Sequence, residues 1–156
     1  MKTFARGVFS GILATVAMSL VLVVGKALGL LGTPPPKTIT ARMSRKMGIR
    51  PERTPRLAFN AGWLAAHLGY GAGCGVVYVT ARSLLPRSNA LSGLLYGLAV
   101  WAVSYLGLLS KLGLYPPADR DSPSRQVVMV AAHLVFGSTL GLLGPEKQDP
   151  ARRPVS

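Results

Sequence analysis

Hydrophobic and charged residues are segregated along this chain into long alternating blocks. Four blocks contain no charged side chain, and they run from Gly7 to Gly25, from Leu57 to Ala81, from Ser88 to Ser110 and from Gln126 to Pro145. Each has roughly the 20 residues that a helix needs to cross the hydrocarbon core of a bilayer. A soluble helix would carry charges every three or four positions on its wet face. The pattern predicts an all-α integral membrane protein with four transmembrane helices.

The spans are expected at about 7–31, 57–81, 88–110 and 123–144, with a basic loop at 32–56. One four-helix membrane domain would then occupy 1–144, and the polar tail 145–156 is expected to be disordered. Lys2 and Arg6 precede the first span as they would in a secretory signal. Its uncharged run is longer than the usual signal core, so we expect it to stay as a helix.

The net charge of +13 raises the question of a nucleic-acid partner. Four spans leave no soluble fold to present a basic surface, and only 15% of the residues are charged, against about 25% in a soluble domain. Basic loops that face anionic lipid headgroups explain the charge more simply. Cys74 is the only cysteine, which excludes an intrachain disulfide and a cysteine metal cluster.

The two halves of the chain share several landmarks in the same order. Ala65-Ala66-His67 and Ala131-Ala132-His133 are each followed by two glycines at steps of four, which are Gly71, Gly75, Gly137 and Gly141. Matching pairs also occur around them: Gly7-x-x-x-Gly11 and Gly93-x-x-x-Gly97, Leu28-Gly29-Leu30 and Leu112-Gly113-Leu114, Thr54-Pro55 and Ser122-Pro123. The order predicts two tandem helical-hairpin repeats related by a pseudo-twofold axis along the membrane normal.

Residues four apart share a helix face, so each histidine lies on the same face as its two glycines. Glycines let two membrane helices approach closely, which makes this the predicted helix-packing face. We expect it to lie against the other repeat, with His67 and His133 at matching depth near the midplane.

Three interpretations of the histidine pair stay open. Each imidazole could make a structural hydrogen bond to a backbone carbonyl or to one of the nearby hydroxyls, which belong to Tyr70, Ser104, Ser138 and Thr139. The pair could instead bind a cofactor, a haem or, less well, a single metal ion. It could also mark a proton or solute path, although no Asp or Glu lies in any span. No nucleophile motif such as Gly-x-Ser-x-Gly supports catalysis.

The loop at 32–56 is strongly basic and begins with three prolines. Ile39, Met43 and Met47 recur every four residues, which predicts a short helix lying in the headgroup layer. We assign lipid-headgroup contacts to its basic side chains, which are Lys37, Arg42, Arg45, Lys46, Arg50 and Arg53. A docking site for an acidic partner and a plain solvated loop are the alternatives.

The segment from Ala131 to Phe136, His67 with its glycine neighbours, and the run from Lys111 to Pro117 resemble the YagU-like family of uncharacterised bacterial inner-membrane proteins. The resemblance covers roughly the last 100 residues. It implies a multispanning protein of the bacterial inner membrane, and it supplies no activity.

These observations predict a non-enzymatic accessory or scaffold protein of the cytoplasmic membrane. Its expected partners are membrane lipids with anionic headgroups and another membrane protein or a second copy, but not nucleic acid. The alternative is a haem-binding, metal-binding or small-solute permeation protein that uses His67 and His133. The sequence does not identify a cofactor; haem is possible but is not the favoured hypothesis.

Overall fold

The computed structural model describes residues 2–144, and these residues form helices and connecting turns without a β-strand. The helices are α1 (Lys2–Ala27), α2 (Pro35–Lys46), α3 (Arg56–Thr80), α4 (Asn89–Trp101), α5 (Leu109–Lys111) and α6 (Pro123–Leu143). A π-helical segment, Ala102–Leu108, joins α4 to α5 without a break. The tail at 145–156, which we expected to be disordered, lies outside the described residues.

Four helical segments are long and apolar enough to cross a membrane, namely Thr3–Ala27, Arg56–Leu84, Asn89–Lys111 and Pro123–Leu143. The prediction of four such helices, in a helical fold without strands, is therefore confirmed for residues 2–144. The first ends at Ala27, earlier than expected, because Gly29 adopts a left-handed φ of 73° and the Leu30 amide turns back to the Gly25 carbonyl. Gly113, with φ 64°, ends the third in the same way.

The starts of α3 and α6 differ, although their sequences match. Ser122 caps α6 by accepting a hydrogen bond from the Arg125 amide, and Pro123 is its first residue. Thr54 makes no such cap on α3, since its hydroxyl donates to the Arg50 carbonyl and the helix begins at Arg56. A hydroxyl cap is thus formed at only one of the two matching sites.

Helices α1 and α3 pack antiparallel, and so do α4 and α6. Glycines make both contacts: Gly7 and Gly11 lie against Gly75 and Gly71, and Gly93 and Gly97 lie against Gly141 and Gly137. A Cβ at any of these positions would overlap the facing helix. The expectation that the glycine face packs on the other repeat was wrong, because each glycine face is covered by the preceding long helix of its own hairpin.

The two hairpins meet along α1 and α6. At one end Arg6 donates to the carbonyls of Leu143 and Gly144 at 3.2 and 3.1 Å, and towards the other end Gly25 lies against Val128. We call the first the turn end, because the α3–α4 turn is there, and the second the loop end. Helix α2 lies at the loop end and packs on α3.

Candidate functional site

A cavity of about 210 Å³ lies between the four long helices, on the loop-end side of the glycine contacts. Its walls are predominantly apolar, with Met18, Leu22, Met129 and Phe136 among the lining side chains. Both histidines also line it, together with the hydroxyl groups of Tyr70 and Ser104. The structure therefore brings the two predicted cofactor-binding residues to one shared space.

His133 is 8% exposed, and its hydrogen bond fixes its tautomer. Nδ1 lies 2.7 Å from the carbonyl oxygen of Met129, one turn back on α6. A carbonyl only accepts, so Nδ1 must carry the proton, and Nε2 of the neutral ring keeps a free lone pair. The bond to Met129 is the one hydrogen bond that the His133 ring makes among residues 2–144, so Nε2 has no partner there. An acceptor is thus left over on the cavity wall.

His67 also keeps one ring nitrogen without a partner among the described residues, but through a different hydrogen bond. Its Nε2 lies 3.3 Å from the Ser19 hydroxyl of α1, and that hydroxyl donates its own hydrogen to the Thr15 carbonyl at 2.7 Å. Ser19 can therefore only accept from His67, which assigns the proton to Nε2 and leaves Nδ1 as an unpaired acceptor. Ser19 was not among the partners that the sequence suggested.

The two histidines do not occupy matching positions in their hairpins. Gly11 meets the carbonyl of Gly71, whereas its counterpart Gly97 meets the carbonyl of His133 itself. Relative to the glycine contact, His133 is therefore one helical turn, about 5.4 Å, nearer than His67. Matched sequence positions are therefore offset by one turn within their hairpins. The expectation that the two histidines lie at matching depth stays a prediction.

A polar network closes part of the loop end of the cavity. The Tyr105 hydroxyl donates to a carboxylate oxygen of Asp121 at 2.6 Å, and Arg125 lies 3.5 Å from the other oxygen. Arg125 also donates to the Tyr115 hydroxyl at 3.1 Å. Burial raises the pKa of the Tyr115 phenol, and the hydrogen bond from Arg125 opposes that rise. Sequence reasoning missed this network because Asp121 lies in a loop that carries no recognisable motif.

Helix α2 supplies the rest of that end. Pro35, Ile39 and Thr40 line the cavity. We had expected Ile39 to lie in the headgroup layer, and that prediction was wrong because its side chain faces the protein. Met43 and Met47 are exposed, in keeping with the remainder of the predicted lipid-facing stripe.

The predicted headgroup residues surround this helix. Lys37 and Arg42 are half-buried, with the Lys37 ammonium 5.9 Å from the centre of the Phe59 ring, while Arg45, Lys46, Arg50 and Arg53 are exposed. Arg45 is paired with Glu52, which lowers the pKa of that carboxyl. Their contact with lipid stays a prediction.

The fold and the site define a class: an all-helical protein with four helices suited to a membrane and an internal, mostly apolar cavity. The chain belongs to a family of unknown function (DUF6789), which it matches over residues 1–148. No curated protein and no solved structure matches it. The resemblance to the YagU-like family stays a prediction.

Proposed function

We propose that this protein is a membrane-embedded binding protein for a small, mostly apolar molecule that donates hydrogen bonds. The observation that carries the proposal is the shared cavity, where His67 and His133 each keep a ring nitrogen without a partner among the described residues. An unpaired acceptor in an apolar space is unfavourable unless something donates to it. A hydroxyl group on the ligand would donate to one of the two nitrogens.

The volume of the cavity favours a single ring over a larger cofactor. Pockets for drug-sized molecules measure roughly 300–1,000 Å³, and a porphyrin is at least that large. A cavity of about 210 Å³ is closer to an engineered cavity of about 150 Å³ that binds benzene. This comparison weighs against a haem bridging the two histidines. Among residues 2–144, no cluster of three or more His, Cys, Asp or Glu side chains is suited to a metal.

Two alternatives from the sequence receive less support. Permeation would need a path through the whole bundle, whereas the turn-end half is packed glycine against glycine and the cavity occupies only the other half. A non-enzymatic accessory or scaffold role needs no cavity at all, and nothing in the geometry favours it over ligand binding. Our proposal is also non-enzymatic, since it requires binding and no bond cleavage.

We also propose insertion into a bacterial cytoplasmic membrane as two tandem hairpins. Length and hydropathy of the four segments support insertion. The duplication is supported by the glycine contacts of α1 with α3, which recur between α4 and α6, and by the left-handed glycines that end both first helices. The basic residues around α2 would then meet anionic headgroups.

Ring-sized probes that differ in one group test the binding function. In detergent, p-cresol should raise the unfolding temperature more than p-xylene, which replaces the hydroxyl by a methyl group. His133→Asn keeps a donor for the Met129 carbonyl and replaces the free ring nitrogen by an amide oxygen at a different position, and His67→Gln does the same for the bond to Ser19. The p-cresol hydroxyl has one hydrogen and donates to one ring nitrogen at a time. The variant of the histidine that accepts it should weaken p-cresol binding by up to about tenfold, the value of one net hydrogen bond, and both variants should leave p-xylene unchanged.

Equal shifts for the two compounds in the natural protein would exclude the histidines as the recognition element. No shift with either compound would exclude ring binding in this cavity and leave the scaffold role. An absorbance spectrum of the purified protein covers the remaining case, because a bound haem would show a Soret band.

A further inference from the structure

Three of the four seams between the long helices are closed by direct packing. Glycine contacts close α1 against α3 and α4 against α6, and α1 packs along α6. The fourth seam, between α3 and α4, is bridged by tyrosine side chains. Tyr96 donates to the Cys74 carbonyl at 2.7 Å, and Tyr78 and Tyr70 share hydrogen bonds with Ser92 and Ser104.

Backbone packing does not close this seam. The glycines of α3 that meet a facing helix lie against α1, and those of α4 lie against α6. Between α3 and α4 the contacts come from the tyrosine side chains and not from closely packed backbones. The α3–α4 seam is therefore the least filled wall of the bundle.

The cavity reaches the outer surface at this seam. Ala66 and Tyr70 of α3 and Leu108 of the π-helical segment line the cavity and are exposed as well. The Tyr70 hydroxyl lies 2.8 Å from the Ser104 hydroxyl, so one hydrogen bond spans the opening. Ala66 and Tyr70 lie about 15 and 21 Å from the start of α3, which is the depth of the hydrocarbon core in a spanning helix.

At the loop end, by contrast, the cavity formed by the described residues has no opening to water. The α2 residues that line the cavity are buried or half-buried, and Tyr105 and Tyr115 are each 2% exposed and held by Asp121 and Arg125. The cavity thus has one opening bordered by exposed residues, and that opening faces the position of the lipid chains.

We infer that the ligand is a lipid-dissolved alcohol or phenol with a hydrocarbon chain, whose hydroxylated head enters between α3 and α4 while its chain stays in the bilayer. This inference rests on the proposed binding function and names its ligand class. The cavity has room for the head alone. The hydrogen bond between Tyr70 and Ser104 must open to admit it, and the π-helical segment that carries Ser104 departs from regular helix where such departures often mark functional sites.

A chain-length comparison tests the inference without any substitution. In lipid nanodiscs, 4-octylphenol should bind the natural protein at least as well as p-cresol when both affinities are corrected for partition into lipid. A closed cavity would instead reject the octyl chain. Binding of p-cresol with rejection of 4-octylphenol would overturn the proposed entry between α3 and α4 and leave the proposed binding function unaffected. Failure of p-cresol itself would overturn the proposed function, so the two failures are distinguishable.

Neighbouring alanines give a matched pair of variants. Ala66 and Ala65 are both exposed on α3, but only Ala66 lines the cavity. Ala66→Phe should weaken 4-octylphenol about tenfold more than it weakens p-cresol, whereas Ala65→Phe should affect neither. Leu108→Trp narrows the opening from the opposite side and should reproduce the selective loss if Ala66→Phe folds poorly. Equal losses of affinity for both ligands in the Ala66 and Leu108 variants would contradict an opening of the cavity between α3 and α4.

Discussion

Tyr78 of α3 and Ser92 of α4 share a 2.8 Å hydrogen bond, and both side chains are completely shielded from solvent. Ser92 also donates to the Asn89 carbonyl at 3.0 Å, so it accepts from the tyrosine. The two partners are therefore not equivalent. Ser92 keeps a partner if the tyrosine hydroxyl is removed, whereas no second partner for that hydroxyl appears in the part of the chain that the structure describes.

This asymmetry predicts that Ser92→Ala destabilises the protein more than Tyr78→Phe. Removing the tyrosine hydroxyl should cost about 1 kcal/mol, while stranding it in the core should cost about 1–3 kcal/mol. Reversible unfolding in mixed micelles measures both. A larger loss for Tyr78→Phe would show that the tyrosine hydroxyl has a second role.

The glycine contacts predict a sharp contrast between positions on one helix. Gly71→Ala and Gly137→Ala place a methyl group into the facing helix, so each should destabilise the bundle by about 1–3 kcal/mol. Gly69→Ala is the matched control, because a Cβ there meets nothing and the backbone is helical. It should be neutral or slightly stabilising, since alanine favours helix.

Unfolding in the same micelles compares the three variants. Equal tolerance at all three positions would remove the close-packed glycine face. Gly113 is unsuitable as a control, although it lies outside the packed faces, because its left-handed φ of 64° would strain any other residue.

The sequence was sufficient to predict the long helices and which residues share a face. Both follow from local rules, namely the length of an uncharged run and the 3.6-residue period. It could not predict which helix covers a face. Gly71 and Gly137 are on the face we expected, yet α1 and α4 cover them and not the other hairpin.

The site was predicted only in part for the same reason. His67 and His133 share one cavity, but the Ser19 contact depends on how α1 lies against α3. A one-turn slip between two helices changes no local pattern, so matching motifs could not reveal that His133 and not His67 meets the glycine contact. Asp121 joins the site through a loop conformation. Such long-range geometry leaves no signal in a single sequence.

The histidine contacts predict how the two residues couple. Without a ligand, His67 is bonded to Ser19 and His133 to its own helix, with no hydrogen bond between them. Losses of unfolding free energy in His67→Ala and His133→Ala should then add within about 0.5 kcal/mol in the double variant.

Saturation with p-cresol should show which nitrogen accepts from its hydroxyl, which has one hydrogen to donate. If one histidine is the acceptor, stabilisation by the ligand should fall in that single variant, and the double variant should lose little more. A loss that appears only in the double variant would mean that either nitrogen can accept the hydroxyl. Coupling in the absence of ligand would contradict the separate hydrogen bonds.

Alternation of the four long helices makes a prediction about sidedness. Residues near Thr33 and Arg120 lie at the loop end, and the turn that contains Arg87 lies at the other end. In a Cys74→Ala background, single cysteines replacing Thr33 and Arg120 should be labelled from the same side of the membrane by an impermeant maleimide. A cysteine replacing Arg87 should be labelled only from the opposite side. Because Cys74 is the only native cysteine, any label reports the introduced residue. Labelling of the Thr33 and Arg87 positions from one side would mean that α3 does not cross, and it would refute the four-span arrangement.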